Sequence, residues 1–305
     1  MKKLFILGIG GLVGSKLAVL ARNKFSVFGT YNQRNPRFNF GEASQLNITD
    51  EDMLIKTLSR VKPEIIVNAC ALHNVDYCEK HREQAKKVNV EAVKNIFKFS
   101  KSLDCKLIQI SSDSIFDGTK KLSYIEEDIP NPVNFYGYTK LESEKIVLEN
   151  YNNLVVRASV LYGWLPKSLS SLSSSSMKPT NFAQWLINKL KTNEKVKIII
   201  DEYSSPIIAE DFAKSILHLI LGGYSGIFHS SPSLRINRYD FSIKLAKNLN
   251  LNSDLIQPVT NKEFGRLVVT GSNKCLDSNK IITKTKFRFL TLEESFKILK
   301  KQIMN

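Results

Sequence analysis

The chain is short of acid, of arginine and of cysteine. Its 305 residues carry 29 Asp and Glu against 44 Lys and Arg, a formal charge of +15, and only ten of those cations are arginine. The lysines are scattered and there is no arginine-rich arm or basic tail, so the excess reads as a solvated lysine exterior rather than a nucleic-acid surface. The four cysteines (Cys70, Cys78, Cys105 and Cys275) show no Cys-x-x-Cys spacing and no nearby histidine pair. That argues against a zinc site and against a disulfide framework, and it suits a reducing cytoplasm. No metal is expected. No apolar run approaches the roughly 18 residues of a membrane span, so no membrane partner is expected either. The opening "MKKLFILGIGGLVGSKLAVLA" imitates a secretory signal. Glycines at fixed intervals interrupt its apolar core, however, and give it a better reading as a nucleotide-binding turn.

What is present alternates. "KLFILGI", "FSVFGTY", "PEIIVNACA", "CKLIQISSD" and "NLVVRASVLYG" are short, continuously apolar runs separated by helical patterns such as "CEKHREQAKKVNVEAVKNIFKFSKSL". Continuous rather than alternating apolar character predicts strands buried on both faces, hence an α/β fold with a Rossmann-type, doubly wound parallel sheet. The second half is less regular. Helices are expected at "NFAQWLINKLKTN", "EDFAKSILHLILGG", "RYDFSIKLAKNLN" and "TLEESFKILKKQI", with strands at "KVKIII" and "GIFHSS". This pattern predicts a cofactor-binding domain over residues 1–160 and a smaller, mainly substrate-binding region over 161–305, with segments around 196–220 returning to the core. The serine-rich tract at 168–176 has neither periodicity and reads as a loop.

Gly8, Gly11 and Gly14 follow the first strand at three-residue intervals and lead into a helix. Such a turn brings backbone close to a pyrophosphate and aims helix N-terminal N–H groups at its charge. The second strand ends "SVFGTYNQRNPR", without the carboxylate that holds an adenosine ribose in NAD sites and with Arg34 and Arg37 just beyond. That favours the 2′-phosphate of NADP(H) over NAD(H), unless the two arginines are merely solvated. "QISSDSIFDG" ends another strand, where doubly wound sheets face their ligand crevice, so Ser112 and Asp113 either point at ligand or cap a buried strand end. Tyr136 stands four residues before Lys140 in "YGYTKLESEK". The spacing alone decides nothing, but one helical turn is the distance at which an ammonium favours a phenolate.

The order of these motifs resembles that of the extended short-chain dehydrogenase/reductases, and more narrowly the dTDP-4-dehydrorhamnose reductase family. The motifs are the glycine turn, "VNACALHNVDYCE", "VNVEAVKNI", "SSDSIFDG", "YGYTKLESEK", "VVRASVLYG", "IIIDEYSSPIIAEDFAKSI" and "LTLEESFKIL", spread over nearly the whole chain. The resemblance implies that Tyr136 is the proton donor, that Lys140 binds the nicotinamide ribose and lowers the tyrosine pKa, and that Ser112 holds the substrate carbonyl. It implies a cofactor lined by Gly8, Gly11, Leu12, Val13, Gly14, Tyr31, Arg34, Asn47, Ile48, Ala69, Ala71, Asn89 and Ser111, together with Tyr136 and Lys140. Asp113, Ser114, Phe116 and Arg235 are the candidates for touching a nucleotide-sugar substrate, and Arg235 or Arg238 is a candidate for its pyrophosphate. A homodimer is a further expectation.

The expected activity is NADPH-dependent reduction of a 4-keto-6-deoxy nucleotide sugar. The alternatives are a non-catalytic regulatory subunit like that of methionine adenosyltransferase, or an epimerase or dehydratase. Departures from the family pattern fall mostly on the substrate side. Ser114 replaces a tyrosine, "DEYSSPII" replaces the usual "DQ.G.PT", Thr270 and Gly271 stand for an arginine-proline pair, and Asn47 takes the place of an acidic residue.

Overall fold

The computed structural model describes residues 1–165, 181–266 and 268–304. The serine-rich tract at 168–176 lies outside these residues. Seven parallel strands form the main sheet in the order β11-β6-β5-β4-β1-β2-β3. They are β1 (Lys3–Leu7), β2 (Ser26–Tyr31), β3 (Glu42–Gln45), β4 (Ile65–Asn68), β5 (Lys106–Ser112), β6 (Leu154–Ala158) and β11 (Gly226–His229). β1 pairs with β2 on one side and β4 on the other, so the strand order reverses between them. At such a reversal the connections leave towards opposite faces and open a crevice beyond the carboxyl ends of the strands.

The apolar runs behave as their composition requires. β4 and β6 are buried at every position, because helices cover both faces. On one face lie α1 (Leu12–Ala21) and the helix Ala209–Leu221, which share a buried cluster that includes Leu17, Ala18, Phe212 and Ile216. The other face carries α2 (Glu51–Val61), α5 (Ala92–Ser102) and α6 (Phe135–Leu148), packed on Phe5, Leu7, Ile66 and Leu107. β3 was not legible as a strand. "EASQ" is short, polar and at the sheet edge, where one partner strand suffices.

The second half does not form one separate block. Between residues 196 and 220, β8 (Val196–Ile199) pairs with β13 (Ile256–Val259) in a sheet of its own, whereas the helix Ala209–Leu221 packs on the main core. The main sheet also takes β11 from beyond residue 160. A second apolar cluster joins Tyr162, Leu186, Ile198, Phe241 and Phe296. Between β8 and β11, β9 (Tyr203–Ser204) is flanked by β12 (Ile236–Asn237) and β14 (Asn273–Lys274). No described helix is long and apolar enough to cross a membrane.

Candidate active site

A cavity of about 900 Å³ runs along the carboxyl ends of the strands. Its first end is built from the βα turns. Gly8, Gly11, Leu12 and Val13 line it after β1, Tyr31 and Arg34 after β2, Asn47 and Ile48 after β3, and Ala69 and Ala71 after β4. Gly14 does not line the cavity but makes the turn possible. A Cβ there would sit 2.2 Å from the Gly8 carbonyl oxygen, so any side chain would push α1 off the turn. Arg37 is exposed and lies outside the cavity lining. Two hydroxyls that do line the cavity, Thr30 Oγ1 and Ser111 Oγ, are buried without a hydrogen-bond partner. Unsatisfied buried donors of this kind beside a glycine turn fit a polar ligand, and the residues present fit a dinucleotide.

The middle of the cavity holds the three residues expected to do chemistry. Ser112 ends β5, and Tyr136 and Lys140 lie one turn apart on α6. Two features bring helix to strand. The Asn134 side chain caps α6 by accepting from the Gly137 N–H at 2.9 Å. At Gly137 itself a Cβ would fall 2.0 Å from the Ser114 carbonyl oxygen, so only glycine lets the start of α6 sit against the Ser112–Ser114 segment. Lys140 is 3% exposed, and its Nζ donates to the Ile110 carbonyl at 2.6 Å. Ser112 Oγ donates to Asp113 Oδ1 at 3.0 Å and accepts from the Ser114 N–H at 3.2 Å.

Burial dominates the electrostatics. It pushes the Tyr136 phenol above its ordinary range, with the hydrogen bond to Ser112 acting against it and the charge of Asp113 adding to the rise. The phenol therefore keeps its proton at neutral pH, as a donor must. Burial also pulls the Lys140 ammonium down to about 8, the Glu144 carboxylate and Cys70 acting the other way. Desolvation is the leading influence on the phenol in this structure, and the lowering expected from Lys140 is not among the influences acting on it. Glu144 follows Lys140 by one turn on the same helix and is held by Arg157, whose Nε and Nη2 donate to it at 3.0 and 2.7 Å. Both are about 2% exposed, so removing either would leave the other's charge buried without its hydrogen-bonded partner.

Asn89 does not line the cavity. It sits buried in a π-helical turn, Lys87–Glu91, accepts from the Leu72 N–H at 2.8 Å and donates to the Thr139 hydroxyl at 3.0 Å. It thereby ties the segment after β4 to α6. Asn68 is likewise a scaffold, donating to Gln109 at 2.9 Å and accepting from the Cys70 N–H at 3.1 Å.

At the far end the structure separates the expected substrate contacts. Asp113 and Ser114 line the cavity. Phe116 does not: it is 1% exposed, stacked on Tyr124 at 4.2 Å within a small apolar cluster, because the 3-10 turn Asp113–Ile115 carries the chain away from the crevice. Arg235 is exposed and lies 3.6 Å from the centre of the Tyr203 ring, outside the lining. The cavity is instead lined by Arg238 and Lys274, with Leu165, Asn181 and Phe182. Lys274 had no signal in the sequence. Its place follows from the pairing of β14 with β9, which sets Lys274 opposite Ser204.

This geometry has known counterparts. The family described as RmlD substrate binding domain matches residues 1–303. A dTDP-4-dehydrorhamnose reductase from Aggregatibacter actinomycetemcomitans is 27% identical over 293 residues, 92% of each protein. The methionine adenosyltransferase 2 subunit beta of Bos taurus is 29% identical over 262 residues, 85% of this chain and 75% of its own length. The crystal structure of a dTDP-4-dehydrorhamnose reductase from Bacillus anthracis in complex with NADP superposes with a TM-score of 0.84 at 25% identity, covering 98% of this chain and 99% of the other. With the family matched over nearly its whole length and the Ser112, Tyr136 and Lys140 side chains gathered in one cavity, the chain belongs to the RmlD substrate binding domain family.

Proposed function

We propose that the protein uses NADPH to reduce the 4-keto group of a nucleoside-diphosphate 4-keto-6-deoxy sugar, a step in deoxysugar and cell-surface polysaccharide synthesis. The observation that carries this reading is the burial of Tyr136 and Lys140 beside Ser112 in a cavity whose other end is a glycine turn. When bound, the nicotinamide supplies the hydride that reduces the carbonyl carbon. The chain's own groups handle the oxygen. Ser112 donates a hydrogen bond where negative charge develops, and Tyr136 transfers its phenolic proton there, leaving an alcohol. Lys140, charged and fixed on the Ile110 carbonyl, compensates the phenolate that remains.

Support for the 2′-phosphorylated cofactor comes from Arg34, which lines the cavity beyond β2 with no carboxylate at the end of that strand. The test is depletion of NADPH and, separately, NADH by purified protein offered dTDP-4-keto-6-deoxy-L-mannose and other nucleotide keto-sugars. Turnover that vanishes in Tyr136→Phe supports the reading. Cofactor binding with no turnover on any of them sinks it.

The second reading, a cofactor-binding regulatory subunit, is favoured by the similarity to a methionine adenosyltransferase beta subunit. It predicts a stable complex with a synthetase in a pull-down and no ketone reduction. The intact Ser112, Tyr136 and Lys140 constellation weighs against it.

A further inference from the structure

The glycine turn contains a fourth glycine that the three-residue pattern does not use. Gly8, Gly11 and Gly14 each permit a contact close at hand. A Cβ on Gly11 or Gly14 would stand 3.1 or 2.2 Å from the Gly8 carbonyl oxygen, and one on Gly8 would stand 2.9 Å from Cys70 Sγ, just beyond β4. Gly10 faces a different neighbour. A Cβ there would fall 1.8 Å from the Arg34 carbonyl oxygen and 3.0 Å from its carbonyl carbon. The chain beyond β2 therefore rests directly on the buried backbone of Gly10, at a separation that no side chain allows.

Three further contacts seat the same segment. The Gly8 and Ile9 N–H groups both donate to the Thr30 carbonyl at 2.9 Å, which ties the turn to the end of β2. Gln45, at the end of the edge strand β3, donates from Nε2 to the Asn32 carbonyl at 2.8 Å. Held this way, Tyr31, Asn32, Gln33 and Arg34 line the cavity, whereas Arg37 is exposed and outside it. Arg34 is half-buried, and that burial draws its guanidinium below the ordinary range. An anion at the right place offsets the cost of such burial. Because a hydrogen bond weakens steeply as its donor turns away, the place of the Arg34 backbone matters as much as the charge it carries.

We propose that Gly10 and Gln45 are positioning residues for the choice of cofactor: they hold the backbone at Arg34 where its guanidinium faces the cavity, and so set the preference for a dinucleotide that carries a 2′-phosphate. The discrimination is divided between them. Arg34 supplies the charge, and Gly10 with the polar edge strand supplies its place. A larger residue at position 10 leaves the charge in the chain but moves it, since the added carbon meets backbone and the segment after β2 is the more exposed of the two and gives way. The inference rests on reading the glycine end of the cavity as an NADP(H) site and is independent of any keto-sugar.

The experiment is calorimetry on the full chain with adenosine 2′,5′-bisphosphate and with 5′-AMP, two ligands that differ only in the 2′-phosphate. The unaltered protein is expected to prefer the bisphosphate by about ten- to hundredfold, the worth of a charge-assisted contact, and the preference shrinks as salt is added. Gly10→Ala removes most of that preference and Arg34→Met removes it. Combining the two costs no more than Arg34→Met alone, because the glycine acts through the arginine. Gln45→Ala lowers the preference several-fold, the worth of one neutral hydrogen bond. Melting curves separate loss of binding from loss of fold, and if Gly10→Ala does not fold, Gln45→Ala carries the test. A folded Gly10→Ala protein that keeps the full preference, whether at native affinity or with both ligands weakened alike, overturns the inference, and so does a full preference in Gln45→Ala. Equal binding of the two ligands by the unaltered protein sinks the NADP(H) reading itself and the inference with it.

Discussion

The two ends of the cavity are built on different principles. The cofactor end is mostly backbone and small side chains from four successive βα turns, held by the parallel ladder of β1, β2, β3 and β4. The far end brings Asp113, Arg238 and Lys274 together from remote segments, with Glu202 and Arg266 paired outside the lining. The difference shows where a family can change without losing its fold. Glycine turns answer to sheet geometry, and a substitution there disturbs the main core. A charge at the far end answers only to its counter-charge, so it can be traded for another if the balance is restored.

Replacing Tyr136 by Phe should have the largest effect and touch neither end. We expect kcat to fall roughly 10²–10⁴-fold while cofactor and nucleotide affinities measured by calorimetry stay unchanged. A change confined to KM would mean that Tyr136 belongs to the binding surface instead. Next, Glu144→Ala should cost about 3–5 kcal/mol of stability, because it leaves Arg157 charged and buried; the fall is read from chemical denaturation. Replacing Glu144 and Arg157 together by neutral residues should recover most of that loss, and equal losses in the single and double variants would refute the pairing argument.

Gly14→Ala sharpens the comparison from the cofactor end. The added Cβ meets backbone rather than a flexible side chain, so about 1–3 kcal/mol of stability should be lost to overpacking, with weaker binding of NADPH but an unaltered response to nucleoside diphosphates. The smallest effect is on pH. Lys140 titrates near 8, so kcat/KM for keto-sugar reduction should fall as pH rises through that value and the charge balancing the phenolate disappears. A flat profile between pH 7 and 9 would show that Lys140 remains charged.

His229 offers a contrasting titration that concerns stability. Burial and the neighbouring Arg157 hold its pKa down to about 3, well below the unfolded value. Its contribution to stability is therefore complete above about 6.5 and is lost progressively as pH falls from there towards 3. Melting temperature measured across that range checks the sign.

Much of the first half was legible because its signals are local. The continuous apolar runs predict a doubly wound sheet, and Gly8, Gly11 and Gly14 follow the first of them into α1. Tyr136 and Lys140 could be placed one turn apart on a helix, and Ser112 at a strand end, before their proximity was visible. Arg235 and Arg238 could not be told apart by spacing. One precedes the helix and stacks on Tyr203, and the other opens it and faces the cavity. Phe116 looked like a neighbour of the substrate because it follows Ser114 closely, yet the intervening 3-10 turn buries it elsewhere.

The amino-acid sequence by itself determined the sheet, the glycine turn and the placing of Tyr136 and Lys140 one turn apart on a helix, since each depends on residues within a strand or a turn of one another. The tertiary structure decided their electrostatics and the make-up of the substrate end. Desolvation raises Tyr136 and lowers Lys140 only once helices and strands close over them. Lys274 comes close enough to feel the charge of Asp113, 161 positions away in the chain, only through the tertiary fold, in which β14 pairs with β9. Charges act through space, and their separation along the chain does not reveal it.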